Sequence, residues 1–284
     1  MASPSDDKDR PEPEERRMSF FEHLEELRAR LKIVLIAFII VFVIMLTFSF
    51  EPITVSGTTL WVPLPTLQQN ETIPAQFINL LNESLVQGSA RLVVLTAPEA
   101  VVVQLKVGMF LAAIVTAPVS TYQFWRFVAP GLKPKERQLL FRLSAPVVAL
   151  FVAGVLMSLL VVLPFTFPFL YGFAFPIRAE PLLRLEEFLD FVMMFSLGFG
   201  LAFELPVIMY GLSTLGIVQP DFWKRNWRYA AVAIFIFGAV ITPDGSGITM
   251  MLVSIPMLVL YAGGYAAIML RTRRQSQRKA HKTG

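Results

Sequence analysis

Glu204 stands in the apolar run Phe199-Gly200-Leu201-Ala202-Phe203 and Leu205-Pro206-Val207-Ile208. A charged group at the centre of a membrane helix costs roughly 2.5–3.5 kcal/mol, so such residues face a bundle interior or a watery cavity and mark functional sites. Packing against a neighbouring helix is the purely structural role open to it. Glu136 is the lone acid among Arg126, Lys133, Lys135, Arg137 and Arg142. It can pair locally with Lys133 or Arg137, or receive an incoming cation. A third set of carboxylates, Glu22, Glu25 and Glu26 with Arg28, follows Ser19, which opens a Ser-x-x-Glu capping box at a helix start. Their local alternative is internal pairing, such as Glu26 with Arg30 at i, i+4, a contact of a few tenths of a kcal/mol. Phe124, Trp125 and Phe127, just before a Pro130-Gly131 turn, provide either an aromatic recognition surface or a headgroup-level anchor. Other chemistry is excluded by residue type. There is no Cys, and the two histidines, His23 and His281, sit in opposite tails, so neither a thiolate nor a clustered imidazole site for metal can form. No phosphate-binding loop, cofactor motif or nucleic-acid-binding pattern is present.

These residues are carried by lipid-embedded helices. Of the 284 residues 55% are hydrophobic and 16% charged, against about 25% charged in an ordinary soluble domain. Apolar segments at 31–50, 100–124, 143–172, 187–215, 229–242 and 248–270 predict six spans. At 1.5 Å per residue the fifth, of 14 residues, reaches only about 21 Å across a hydrocarbon core of roughly 30 Å. Lys and Arg set the orientation, because basic residues of short loops stay in the cytoplasm. Seven precede residue 33, five fall in 125–142, three in 216–228 and six from 271 onward. The opposite loops hold only Arg91, Arg178 and Arg184, while Lys106 lies inside the second span, where it is expected to snorkel to the interface. The fold class is therefore an all-α membrane protein of six transmembrane helices with both termini cytoplasmic. Prolines 118, 146, 164, 168, 206 and 256 in or near the spans predict a bent, concave bundle. Residues 1–18 read as a disordered tail, 19–270 as one membrane domain and 271–284 as a basic tail. The outer loop 51–98 carries an amphipathic surface helix around 75–87, with apolar residues at 77, 78, 81 and 85.

Several ordered motifs on this topology resemble one family. They are His23-Leu24-Glu25-Glu26-Leu27-Arg28, Ala97-Pro98-Glu99-Ala100, Tyr122 through Phe127-Val128-Ala129-Pro130-Gly131-Leu132 to Glu136-Arg137, Phe203-Glu204-Leu205-Pro206, Thr242-Pro243-Asp244 and Ile255-Pro256. Together they are similar to TatC, the multispanning receptor subunit of the twin-arginine protein translocase. The resemblance implies a signal-peptide site at Glu26, Arg28, Phe127 and above all Glu136. Carboxylates there would take the signal's paired arginines in charge-assisted, often bidentate hydrogen bonds. It further implies that Glu204 contacts the small single-span subunits TatA and TatB, and that Pro98, Glu99 and Asp244 form an outer-face motif. Self-association in a receptor complex, a bacterial or archaeal cytoplasmic membrane and a proton-motive-force-driven step also follow from it, without cofactor, covalent chemistry or nucleic acid. The sequence departs from the family at Met250 and Ala262, which stand about where a Gln and a Glu are common, and in a longer outer loop. The competing function is a proton-coupled secondary transporter using Glu204. It requires inverted repeats, and 31–172 and 187–270 show no such similarity.

Overall fold

The computed structural model describes residues 20–55, 58–66, 72–86, 90–177, 180–242 and 247–283. Ser19, the tail 1–18 and the motif residue Asp244 lie outside them. Five helical stretches are long and apolar enough to cross a membrane: Phe21–Thr47, Ala97–Gly131, Glu136–Gly172, Leu185–Thr214 and Gly247–Arg273. A shorter apolar helix, α9 (Trp227–Ile241), makes the sixth.

Helix α1 (Phe20–Thr47) runs without interruption because it contains neither Gly nor Pro, and it packs along α3 (Ala97–Val128). In α3 the capping box closes on Glu99 with Pro98 in the first turn, and Pro118 lies inside the helix. A 3₁₀ turn at Ala129–Gly131 leads to α4 (Pro134–Met157), so the basic loop expected over 125–142 is mostly helical and its true turn is short. A π-helical stretch, Ser158–Val162, joins α4 to α5 (Leu163–Gly172). The wide turn sits where Pro164 cannot donate its hydrogen bond. Helices α6 (Leu185–Ala202) and α7 (Leu205–Thr214) form one span broken at Phe203-Glu204, just before Pro206. After α8 (Pro220–Arg225) and α9, helix α10 (Gly247–Thr283) continues through the basic tail.

Phenylalanines at helical spacing run down α6, with ring centroids 5.2 Å apart for Phe191–Phe195, 5.0 Å for Phe195–Phe199 and 6.3 Å for Phe199–Phe203. Around this column α4 meets α6 through small residues. A Cβ on Gly154 would lie 2.7 Å from the Phe199 carbonyl oxygen, and Ser158 Oγ is 3.1 Å from Ser196 Oγ in the buried seam. Gly264 of α10 lets the chain approach Pro206 in the same way.

The outer segment holds more than the expected surface helix. That helix is present as α2 (Ile73–Leu81) with a π-helical continuation to Val86. Before it, β1 (Phe48–Val55) and β2 (Thr58–Pro65) form an antiparallel hairpin directly on the end of α1. Strands β3 (Arg91–Val93) and β4 (Leu182–Arg184) pair in parallel and bring the end of the outer segment to the start of α6.

Candidate functional site

The two ends of the bundle differ in chemistry. At the end holding the start of α1, which we term the basic end, His23 stacks on Phe127 at 4.4 Å between ring centroids, and Arg271 donates to the Thr214 hydroxyl. These contacts bring the start of α1 to the end of α3 and the end of α7 to Arg271 of α10. The hairpin, α2 and the β3–β4 pair occupy the far end.

Along α1 the half-buried positions 23, 26 and 30 follow the helical repeat and face α3. Glu26 therefore lies on the seam, where its Oε1 accepts a 3.0 Å hydrogen bond from Arg30. The local pairing read from the sequence is thus present. It leaves Glu26 Oε2 and Arg30 Nε buried without partners among the described residues. Gln123 is one turn from Phe127 on the same face of α3, as Glu26 is one turn from His23 on α1. The antiparallel packing sets Gln123 and Glu26 at the same level. Gln123 is 8% exposed and its Oε1 is likewise unpartnered. Two buried acceptor oxygens, Glu26 Oε2 and Gln123 Oε1, and the donor Arg30 Nε thus lack partners among the described residues along this seam. Gln123 escaped the sequence reading, since a single amide in an aromatic segment carries no charge signal. Arg28 is exposed and projects away from this seam.

Glu136 faces elsewhere. Its Oε2 accepts the Lys133 backbone N–H at 3.0 Å, capping α4, and the carboxylate lines a 250 Å³ cleft with Arg142, Thr214 and Arg271. Arg271 also lies 5.4 Å over the Tyr210 ring. Glu26 and Glu136 therefore flank the α3–α4 turn from opposite sides.

From that turn an apolar groove of 720 Å³ runs up between α3, α4 and α7. Phe124, Trp125, Val128 and Leu132 form its lower wall, and Glu204 is the acid in its lining. Glu204 ends α6 and opens α7, its carbonyl accepting from Ile208 N–H at 3.0 Å. Its carboxylate has no hydrogen-bonding or ionic partner among the described residues, and the side chain lines the groove beside Leu201, Val207 and Ile208.

At the far end Glu99 is 4% exposed. Its Oε2 accepts from the backbone N–H groups of Leu95 (2.9 Å) and Thr96 (3.3 Å), its Oε1 from that of Glu186 (3.3 Å), and Arg184 Nε lies 3.6 Å away. One carboxylate thus ties the starts of α3 and α6 together. The Lys106 ammonium donates to Glu186, in the first turn of α6, at 2.8 Å and to Asp190, one turn further along, at 2.8 and 3.0 Å. Among the described residues no group of three metal-ligating side chains occurs.

The sequence profile of the family described as Sec-independent protein translocase protein (TatC) matches residues 22–256. The Sec-independent protein translocase protein TatC of Cenarchaeum symbiosum (strain A) is 35% identical over 263 residues, covering 93% of this chain and 98% of its own length. Its counterpart in Aquifex aeolicus (strain VF5) is 31% identical over 264 residues, with coverages of 92% and 98%. A crystal structure of a twin-arginine translocase receptor, TatC, superposes with a TM-score of 0.68 at 29% identity, over 88% of this chain and 100% of that one. A sequence profile matched along most of the chain, near-full-length relatives and one shared bundle agree: the chain belongs to the TatC family, multi-pass membrane subunits of the Sec-independent protein translocase that act in transport and not as enzymes.

Proposed function

We propose that this subunit is the signal-peptide receptor of its translocase, with the basic end in the cytoplasm of a bacterium or archaeon and the bundle in its cytoplasmic membrane. The twin arginines of a folded passenger's signal are received by the carboxylates flanking the α3–α4 turn. Glu26 faces the α1–α3 seam, where Phe127 stacks on His23, Glu136 faces the cleft with Thr214 and Arg271, and Arg28 is exposed on α1 outside the seam. The observation that carries this reading is the continuity of that charged turn with the apolar groove, whose lower wall is Phe124, Trp125, Val128 and Leu132. A twin-arginine signal couples a guanidinium pair to an apolar stretch, and the surface offers acceptors followed by carbon. Glu204, unpartnered in the groove, awaits a polar group from a single-span partner of the TatA or TatB kind, and copies of this chain assemble with those partners for export driven by the proton motive force.

Export of a folded reporter bearing a twin-arginine signal tests it, in cells whose own subunit is replaced by this chain together with its cognate partners. Glu136→Gln keeps the hydrogen bond that caps α4 and removes only the charge. A hydrogen bond to a charged group contributes about 1.5–3 kcal/mol, so export falls about tenfold or more, and Glu136→Lys abolishes it. Normal export by both variants at equal membrane levels sinks the assignment of Glu136. Failure of the well-inserted parent chain, partners included, sinks the receptor reading itself.

A further inference from the structure

The β1–β2 hairpin has two unlike faces. Pairing Phe48 with Pro65, Phe50 with Pro63 and Pro52 with Trp61 puts these six residues on one face, because side chains alternate along a strand. Phe50 is 42% and Trp61 66% exposed, and Pro52, Pro63 and Pro65 are exposed beside them. The face carries no charge. On the other face Ser49 is fully buried, Leu64 and Val62 are half-buried, and Glu51 supplies the charge. The hairpin is held from that side and along its edge. The Gln76 side chain of α2 accepts from Phe50 N–H at 3.0 Å and donates to Phe50 O at 2.9 Å, as a neighbouring strand would.

We propose that this apolar face is a lipid-docking surface, seated at the headgroup–acyl boundary of the leaflet at the far end of the bundle. Continuity fixes the occupant. Strand β1 begins at Phe48 with no residue between it and α1, whose Ile36, Ile40 and Val43 are exposed to the bilayer. Thr66 N–H donates to the Thr47 carbonyl at 2.9 Å, closing the hairpin base onto the helix end, so the face starts where the lipid-facing helix surface stops. Tryptophan, phenylalanine and proline without charge suit that boundary, where aromatic rings collect. A strand from another protein is disfavoured. Phe50 turns its N–H and carbonyl to Gln76 and away from Pro63, so the facing positions of β2 point their backbone nitrogens outward, and Pro63 and Pro65 leave those with no donor.

The chain lacks cysteine, so single cysteines report position by position. The full-length protein carrying Phe50→Cys, Trp61→Cys or Glu51→Cys is spin-labelled and reconstituted in phosphatidylcholine vesicles, with Pro63→Cys as a second reporter of the apolar face. Collision with oxygen, which concentrates in lipid, is compared with collision with a water-soluble nickel chelate. Labels at 50, 61 and 63 favour oxygen and the label at 51 favours nickel, with no change when phosphatidylglycerol is added. Labels at 50, 61 and 63 that match 51 overturn the proposal, because the face then stands in water. Labels shielded from both probes overturn it too, since the face then meets a second copy of the chain. An oxygen preference that appears only with anionic lipid would also overturn it.

Discussion

Glu136, Glu204, Glu99 and Lys106 are charged residues in or beside apolar helices, and their surroundings give each a different task. Glu99 is saturated by backbone donors and is a structural clasp. Lys106 is satisfied by two carboxylates on α6. Replacing it with Met leaves, among the described residues, Glu186 with only its contact to Arg184 and Asp190 with no cation. At this partial exposure Lys106→Met lowers stability by about 1–2 kcal/mol, between surface and buried ion-pair values. Thermal unfolding in detergent measures it, and an unchanged melting temperature refutes it. Glu204 is the opposite case, a carboxylate without a partner in a carbon-lined groove. Glu204→Leu therefore keeps or raises the melting temperature, by up to about 1 kcal/mol of stability, while export declines because the awaited contact is gone. Undiminished export by that variant removes Glu204 from the mechanism. Glu204 and Glu136 were legible in the sequence because an acid in an apolar run, or among bases, is a local anomaly. Gln123 and Arg271 were not, since their meaning comes from residues far along the chain.

At the scale of elements, close approach of helices rests on glycine. An added Cβ at Gly200 would come within 2.8 Å of the Phe151 ring, and one at Gly154 within 2.9 Å of the Gly200 Cα. Nothing lies within 4 Å of a Cβ at Gly131. Gly154→Leu thus forces α4 and α6 apart at a cost of about 1–3 kcal/mol and lowers the amount of folded protein, while Gly131→Ala is tolerated. Size-exclusion profiles and melting curves of the two variants compare them, and equal behaviour would contradict this packing. Helix existence was readable from apolar runs and proline positions. The hairpin was not, because Phe48 to Pro65 carries three prolines and its outer edge is closed by Gln76, eleven residues beyond the end of β2.

Taken whole, the molecule is uneven in thickness. Ile241, the last residue of α9, abuts Gly198, the fourteenth residue of α6, so α9 stops about 20 Å along α6 from its start. Its 15 residues span about 22 Å, which strains a bilayer core of roughly 30 Å. Lipids with short acyl chains therefore stabilise the folded protein relative to long ones. Melting in vesicles of increasing chain length tests this, and a melting temperature that rises steadily with thickness would contradict it. Composition, the length of apolar runs and the alternation of basic with non-basic loops determined the membrane class and the number of spans, and the ordered motifs carried the family resemblance. These are local properties, set by the transfer energy of each segment into lipid and of each charge at its ends. Only the tertiary structure decided what the charges meet: that Lys106 finds α6, that Glu99 clasps two helix starts, that Glu26 and Glu136 flank one turn from opposite sides, and that Glu204 finds no polar partner among the described residues. Pair energies depend on distances between segments about 60 to 135 residues apart, and those distances are fixed by packing, which no local pattern encodes.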